Sequence, residues 1–426
     1  MSCNEWKETE IGKIPAHWDF APMKEYVEIN MGQSPKSEFY NTAGEGLPFL
    51  QGNRTFGIKY PYYDTYSSDI KKIAQEGDIL FSVRAPVGDV NIATEKFCIG
   101  RGIASLRMKN GNQEYLYYLL REYRKYIENR ESGTVFGSIN KKGLEELKLP
   151  FPPKEEQEKI ANILSSLDTK IELNNEMNKT LEEMAQSIFK RWFVDFEFPS
   201  GDGEPYKSSG GEMVDSELGM IPKGWEVKPL RDTDIVIEDG DRGKNYPKKS
   251  ELLKSGYCPF LNNKNIIDDK ISLVDSDFIT EERHNLLRKG TININDIILT
   301  TRGSVGNIGI FNKYLGYEFA RINSGMIIIK NKEDFNLMYL YQLLKTPLMK
   351  EQYKSMSTGT AQPQLPIKDI KKLKILKPDK SIQDKIGNLL SSIYDLVFSN
   401  DQESLNISIK RDLLLPKLMS GEISVN

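Results

Sequence analysis

Two histidines, three cysteines and scattered carboxylates are what this chain offers to acid–base, metal or nucleophilic chemistry. His17 and His284 have no useful partner near them in sequence. Cys3, Cys98 and Cys258 form no CxxC pair, so neither a zinc site nor a disulfide framework is expected. GxSxG, HExxH, Walker A and GxGxxG motifs are absent. Methylation of a nucleobase amine would call for an Asp/Asn-Pro-Pro-aromatic motif, and Phe151-Pro152-Pro153-Lys154 is not one. We therefore expect no catalytic residue and no metal ligand. The alternative is a self-sufficient Mg²⁺-dependent DNA endonuclease, with Asp215 and the Glu226-Val227-Lys228 run supplying two carboxylates and a lysine to hold the ion and place a water.

An internal repeat must position whatever side chains do function. The segment EIGKIPAHW from Glu10 recurs as ELGMIPKGW from Glu217, so that Trp18 and Trp225 are 207 residues apart. Pro48-Phe49-Leu50 recurs as Pro259-Phe260-Leu261. The run from Asp78 through Arg84 to Val87-Gly88 recurs from Asp296 through Arg302 to Val305-Gly306, and Gly133-Thr134 recurs as Gly359-Thr360. Last, QEKIANILSSLD from Gln157 matches QDKIGNLLSSIY from Gln383 at an offset of 226, so the second copy has gained 19 residues in its interior while both ends stay recognisable. The first-copy stretch Trp18-Asp19-Phe20-Ala21 lacks the lysine of Glu226-Val227-Lys228, which places the nuclease-like residues in a shared scaffold segment.

Each copy reads as a mixed part followed by a long helix. The β-rich runs at 78–83 and 296–301, broken by Gly, Asn and Pro clusters and followed by helical patterns at 115–127 and 337–353, predict a compact mixed domain. In 157–192, Ile160, Leu164, Leu167, Ile171, Leu181, Ala185 and Ile188 follow a heptad seam, repeated by Ile386, Leu390, Ile393, Val397, Ile407 and Leu414. Polar residues interrupt both seams: Asn174 and Asn178, then Asn400 and Ser404. An antiparallel pairing would set Asn174 against Ser404, Asn178 against Asn400 and Arg411 against Leu167. Buried amides at such a seam fix register. The predicted fold class is α+β: two target-facing mixed α/β domains in tandem (residues 1–150 and 216–378), helices at 151–196 and 379–426 pairing as an antiparallel coiled coil, and a linker at 197–215.

With 38% hydrophobic and 28% charged residues in 426, the chain has a globular composition. No run reaches the roughly 18 apolar residues of a membrane span, and the polar N-terminus is unlike a signal peptide, so a cytoplasmic location is expected. Net charge is −3, so any polyanion binding must rest on local patches. Residues 367–380 contain six lysines and two aspartates, 141–154 four lysines and two glutamates, and 121–130 four basic residues interleaved with Tyr123 and Tyr126.

Three features carry a resemblance. Each copy opens with an Ile-Pro-x-x-Trp segment, Pro152-Pro153-Lys154-Glu155-Glu156-Gln157 leads into the first helix, and Phe189-Lys190-Arg191-Trp192-Phe193-Val194-Asp195-Phe196 ends it. In these the chain resembles, over essentially its whole length, the specificity subunit of type I restriction-modification systems. The second copy keeps Pro378 and Gln383 but has Ile382 in place of the glutamate. The resemblance implies two target-recognition domains, each reading half of a bipartite double-stranded DNA sequence, with the helices as a ruler. It further implies docking of two modification subunits, with Glu156, Gln157, Trp192, Phe193 and Gln383 as docking residues, and the joining of restriction subunits. No cofactor is expected in this chain; S-adenosylmethionine, and ATP with Mg²⁺ for restriction, would sit on the partners. A coiled-coil scaffold without a DNA role is the remaining class.

Residues shared by two domains that read different half-sites should hold phosphate or scaffold, whereas base-reading residues should differ. Arg84 and Arg302, in matching Arg-x-x-Val-Gly loops, and Thr134 and Thr360 are the shared candidates. Divergence begins right after Pro-Phe-Leu, with Gln51, Asn53 and Arg54 in one copy and Asn262, Asn263, Lys264 and Asn265 in the other. Asn and Gln can bond adenine, and Arg guanine, through two hydrogen bonds each. Arg101 and Arg321 are further candidates.

Overall fold

Runs such as Ile79–Ser82 and Ile297–Thr300 are buried at every position. They can exist only as central strands covered on both faces. The computed structural model describes residues 5–129, 137–359 and 362–425, and the chain divides into two units. Unit 1 comprises Met1–Glu172 with Ser404–Asn426, and unit 2 comprises Leu173–Glu403.

In unit 1 an antiparallel sheet has the order Val90–Ile92, Ile79–Ser82, Ile103–Met108, Val27–Met31. A second sheet orders Tyr40–Asn41, Tyr66–Ser67, Leu47–Leu50, Phe97–Ile99 and Ile73–Ala74. Its Leu47–Leu50 and Phe97–Ile99 strands run parallel. Unit 2 repeats this frame with one strand fewer in its second sheet. Its first sheet has the order Ile308–Ile310, Ile297–Thr300, Met326–Lys330, Val236–Asp239. Its second has Asp277–Ile279, Cys258–Leu261, Phe319–Ile322, Thr291–Asn293, again with a parallel pair, Cys258–Leu261 beside Phe319–Ile322. The additions in unit 2 include the hairpin Ile266–Ile267/Lys270–Ile271 and the helix Glu281–Leu286, capped by the Thr280 side chain.

The predicted helical patterns resolve into Gln113–Glu122 and Arg124–Glu128 in unit 1, and Leu337–Leu344 and Pro347–Met356 in unit 2. Asn112 and Asn336 cap the first member of each set. The tyrosines one turn in are buried and donate to matching backbone carbonyls: Tyr115 to Pro150 at 3.0 Å and Tyr339 to Leu376 at 2.9 Å. Each ties its helix to the strand that precedes the long helix.

The long helices span Lys154–Phe193 and Lys380–Met419, 40 residues each, about 60 Å at about 1.5 Å per residue. Within unit 2 the seam has the predicted amide pairing, with Asn400 Nδ2 donating to Asn178 Oδ1 at 2.9 Å. Asn178 in turn donates to the Val397 carbonyl and to Asp401. The Asn174 amide donates to Glu403 at 2.9 Å. In unit 1 Arg411 does not face Leu167. Its guanidinium reaches one residue further to Asp168 at 2.6 Å, and Tyr118 donates to the same carboxylate at 2.6 Å. The guanidinium also donates to Asp412 at 2.7 Å, so two carboxylates compensate a cation that sits largely out of solvent.

Each unit closes over the tryptophan of its opening hairpin. Trp18 donates through Nε1 to Glu156 at 2.8 Å, and Leu415, Leu418 and Met419 join its core. Gly421 turns there with φ of +75°, where a Cβ would lie 2.4 Å from Pro15, so no side chain fits. In unit 2 Trp225 stacks on Phe198 at 4.8 Å with Phe193 at 5.6 Å. The 197–215 stretch is thereby packed, with Tyr206 stacked on Phe198, rather than a loose tether. No helix among the described residues is long and apolar enough to cross a membrane.

Candidate nucleic-acid interface

The parallel strand pair decides where the candidate reading residues go. Leu47–Leu50 and Phe97–Ile99 end on the same side, so the loops that follow them lie together. Backbone bonds lock the junction: Gly100 N–H to Leu50 O at 2.8 Å, Gly102 N–H to Gln51 O at 3.0 Å, and Val83 N–H to Gly102 O at 3.0 Å. A Cβ on Gly102 would lie 2.4 Å from the Gln51 carbonyl, so this close approach requires glycine. Three loops thus surround one concavity of about 450 Å³, lined by Gln51, Asn53, Arg54, Arg84 and Arg101 with Tyr40. All five unit 1 candidates that lie among the described residues meet there.

Their electrostatic states differ. Arg54 donates through Nη2 to both oxygens of Asp64 at 2.8 and 2.9 Å, and Asn53 donates to Asp89 at 2.6 Å. The Arg54 guanidinium holds the Asp64 carboxyl below its usual range. Arg84, Arg101 and Gln51 are exposed, and their side chains have no ion pair or hydrogen bond among the described residues. They are the groups ready to donate outward.

Unit 2 builds the same junction, with Asn323 N–H bonded to Leu261 O and Thr301 N–H to Gly325 O, both at 2.8 Å. Its side chains are arranged differently. Asn263 donates to the Arg302 carbonyl, Lys264 is exposed, and Asn262 accepts from the Lys264 N–H. The shared loops converge, since Arg302 bridges Gln364 and Gly303 N–H donates to Pro363 O. Gly303 to Asn307 and Gly359 line a second concavity, of about 560 Å³, together with Lys350 and Lys354. Thr134 and Thr360 themselves lie outside the described residues.

Several expected site residues prove to be scaffold. Arg321 is 5% exposed, and its guanidinium donates to the carbonyls of His284, Leu287 and Lys289, so it cannot also face a ligand. Burial and this cation both push the His284 imidazole down. The strand register makes Arg321 the counterpart of buried Cys98, not of Arg101. Asn265 is also interior, its amide donating to the Ser272 carbonyl and Ser276 hydroxyl. Gln157 and Gln383, 1% and 0% exposed, are not docking residues but matching locks at the helix starts. Each donates to a proline carbonyl five residues back, Pro152 or Pro378, at 2.8 Å. Each accepts from its own domain, from Asn110 Nδ2 or the Asn336 N–H, both at 3.0 Å. Phe193 is core, Trp192 packs partly against that core, and Glu156 holds His17 and Trp18.

The basic runs seen in sequence are mostly neutralised in place. Lys372 pairs with Asp369, Lys374 with Glu217, Lys377 with Asp334, and Lys141, Lys142 and Lys154 with glutamates one turn on. The nuclease alternative fares no better, because Glu226 and Lys228 pair with each other at 2.8 Å on a strand facing solvent. Among the described residues no three His, Cys, Asp or Glu side chains gather as metal ligands. Sequence inspection missed Asp64 and Asp89, which restrain two of its candidates, because their roles depend on contacts across 10 and 36 residues of chain.

Comparison with known proteins places this arrangement. The chain is 30% identical over 433 residues to the MjaIX type I restriction enzyme specificity subunit of Methanocaldococcus jannaschii, covering 99% of this chain and 97% of the relative. It is 27% identical to the HindI specificity subunit of Haemophilus influenzae, covering 99% and 100%. In fold it is similar to the crystal structure of a type I system S subunit from M. genitalium, with a TM-score of 0.62 at 20% identity, covering 94% and 96%. The family described as the type I restriction modification DNA specificity domain matches twice, at residues 15–183 and 222–410. The chain therefore belongs to the type I restriction-modification DNA specificity family, with two copies of its domain in tandem.

Proposed function

We propose that this chain is the DNA sequence-specificity subunit of a type I restriction-modification complex, each unit reading one half of a bipartite double-stranded target. The observation that carries this reading is the three-loop junction, built twice on the same strand frame and furnished with different polar side chains: Gln51, Asn53 and Arg54 against Asn262, Asn263 and Lys264. A conserved frame with exchanged donors is what two readers of different sequences require, since phosphate contacts position and base contacts specify. Within it Gln51, Arg101 and Lys264 read bases, while Arg84 and Arg302 hold backbone. The chain itself performs no chemistry. Methyl transfer from S-adenosylmethionine, and the ATP- and Mg²⁺-dependent restriction step, belong to two modification subunits and to restriction subunits.

The helices support the docking and ruler roles. Leu173, Met177 and Met184 are exposed at spacings of four and seven, one apolar stripe on the first helix, and Leu389 and Leu396 form another on the second. Co-expression with the neighbouring modification subunit in a methylation-free host, followed by mapping of methylated adenines, tests the proposal. One motif of two defined halves around a fixed gap is the expected result. No methylation with the partner folded and bound would overturn it.

A further inference from the structure

The second unit carries a run of cations at 241–254 that its first-copy counterpart lacks. Residues 241–254 hold five cations, Arg242, Lys244, Lys248, Lys249 and Lys254, against Asp241 and Glu251, whereas the first-copy counterpart, residues 33–46, has one lysine and two glutamates. Arg288 and Lys289 add to it from a separate segment. The two segments are clasped by a buried carboxylate: Asp241 Oδ1 accepts the Gly243 N–H at 2.6 Å and Oδ2 the Arg288 N–H at 2.8 Å. A second clasp has Asn245 Nδ2 donating to Leu286 O, and Arg283 Nη1 to Asn245 O, both at 3.2 Å.

Because backbone N–H groups occupy both oxygens of Asp241, that carboxylate organises the cations without covering them. Lys244, Lys248, Lys249, Arg288 and Lys289 stay exposed, and no ion pair involves any of their side chains among the described residues. This is the opposite of the lysine runs at 141–154 and 367–380, whose members are mostly paired. The patch is also continuous with the unit 2 reading junction. Arg242 Nη2 donates to the Ser324 carbonyl at 3.4 Å, and the adjoining Gly325 abuts Asn263 and accepts the Thr301 N–H.

We infer that Lys244, Arg288 and Lys289 form a phosphate grip on the DNA backbone beside the unit 2 half-site. The inference rests on the reading of unit 2 as a DNA-binding head. Phosphate is the fitting partner because all three are unpaired cations and the two lysine ammoniums supply charge without the fixed geometry that base reading needs. Such contacts release counterions and steepen salt dependence by about 0.9 in log–log slope per phosphate on duplex DNA.

The test uses the full chain bound to its modification subunit and labelled duplexes with and without the methylated motif, titrated across salt concentrations. The triple variant Lys244→Ala/Arg288→Ala/Lys289→Ala should reduce the slope by roughly 1 to 3. It should weaken both duplexes by the same factor and leave the methylated motif unchanged. Lys244→Arg/Lys289→Arg, which keeps the charge, should retain the wild-type slope and shows that loss of fold is not the cause. A triple variant with wild-type slope and affinity overturns the grip. A changed half-site overturns it too, by showing base reading. If the wild-type complex binds no DNA, the reading of the chain as a DNA-specificity subunit fails first.

Discussion

The two units solve one packing problem with exchanged chemistry. Where the domain helix meets the long helix, unit 1 has Tyr118 donating to Asp168, which also binds Arg411; at the same place unit 2 has Tyr394, on the long helix, donating to Gln342 on the domain helix. Donor and acceptor have changed sides, and the carboxylate that binds Arg411 has given way to a tyrosine hydroxyl that accepts from the Lys345 ammonium at 3.3 Å. Around the tryptophans, Glu156 in unit 1 corresponds to Ile382 in unit 2, and a hydrogen bond gives way to aromatic stacking on Trp225. The frame thus tolerates any pair that satisfies its buried polar atoms, because their partnering, not their identity, sets the cost.

That comparison can be broken at its strongest point. Asp168→Ala should leave the Tyr118 hydroxyl without its acceptor and the half-buried Arg411 guanidinium with Asp412 alone, and destabilise unit 1 by about 3 kcal/mol, read as a lower urea midpoint. Equal stability would show that the charged pair is dispensable. Next, replacing Gln51 to Arg54 by another polar loop should change one methylated half-site and leave the other intact, each mismatched pair then weighing about 1–3 kcal/mol. Two unchanged halves would remove the reading role from the loop. Tyr394→Phe leaves Gln342 Oε1 without its donor and takes one acceptor from the Lys345 ammonium, so about 1–2 kcal/mol is expected, short of Asp168→Ala.

The smallest effect concerns pH. Asp241 is held below its ordinary 3.8 chiefly by the Gly243 N–H, against the opposing effect of burial. A depressed carboxyl stabilises fully above its unfolded pKa and loses that contribution as pH falls through the folded value. The stability difference between wild type and Asp241→Asn should therefore be constant from pH 7 to about 5 and shrink below about 4 in denaturant titrations. A difference that grew on acidification would contradict the clasp.

Much of the architecture was legible in the chain. The repeated IPxxW segments, the matching glutamines at the helix starts, the strand runs at 79–82 and 297–300, and the amide match of Asn178 with Asn400 all follow from period and register. Gathering Gln51, Arg84 and Arg101 into one concavity was not, because it depends on a parallel strand pair joined across some fifty residues. Arg321, a further candidate from sequence, proves interior for the same reason, since strand pairing makes it the counterpart of buried Cys98.

By itself, then, the sequence determined two copies of one frame, two long helices and the absence of the usual catalytic motifs, because periodicity and duplication are local properties of a chain. Only the tertiary structure decided which cations remain free. Lys374 and Lys377 are cancelled by Glu217 and Asp334, distant carboxylates, while Lys244 and Lys289 are left open by Asp241, whose oxygens are already occupied by backbone N–H groups. Charge is counted along a chain, but it is neutralised through space, within a few ångströms and with no regard to sequence separation.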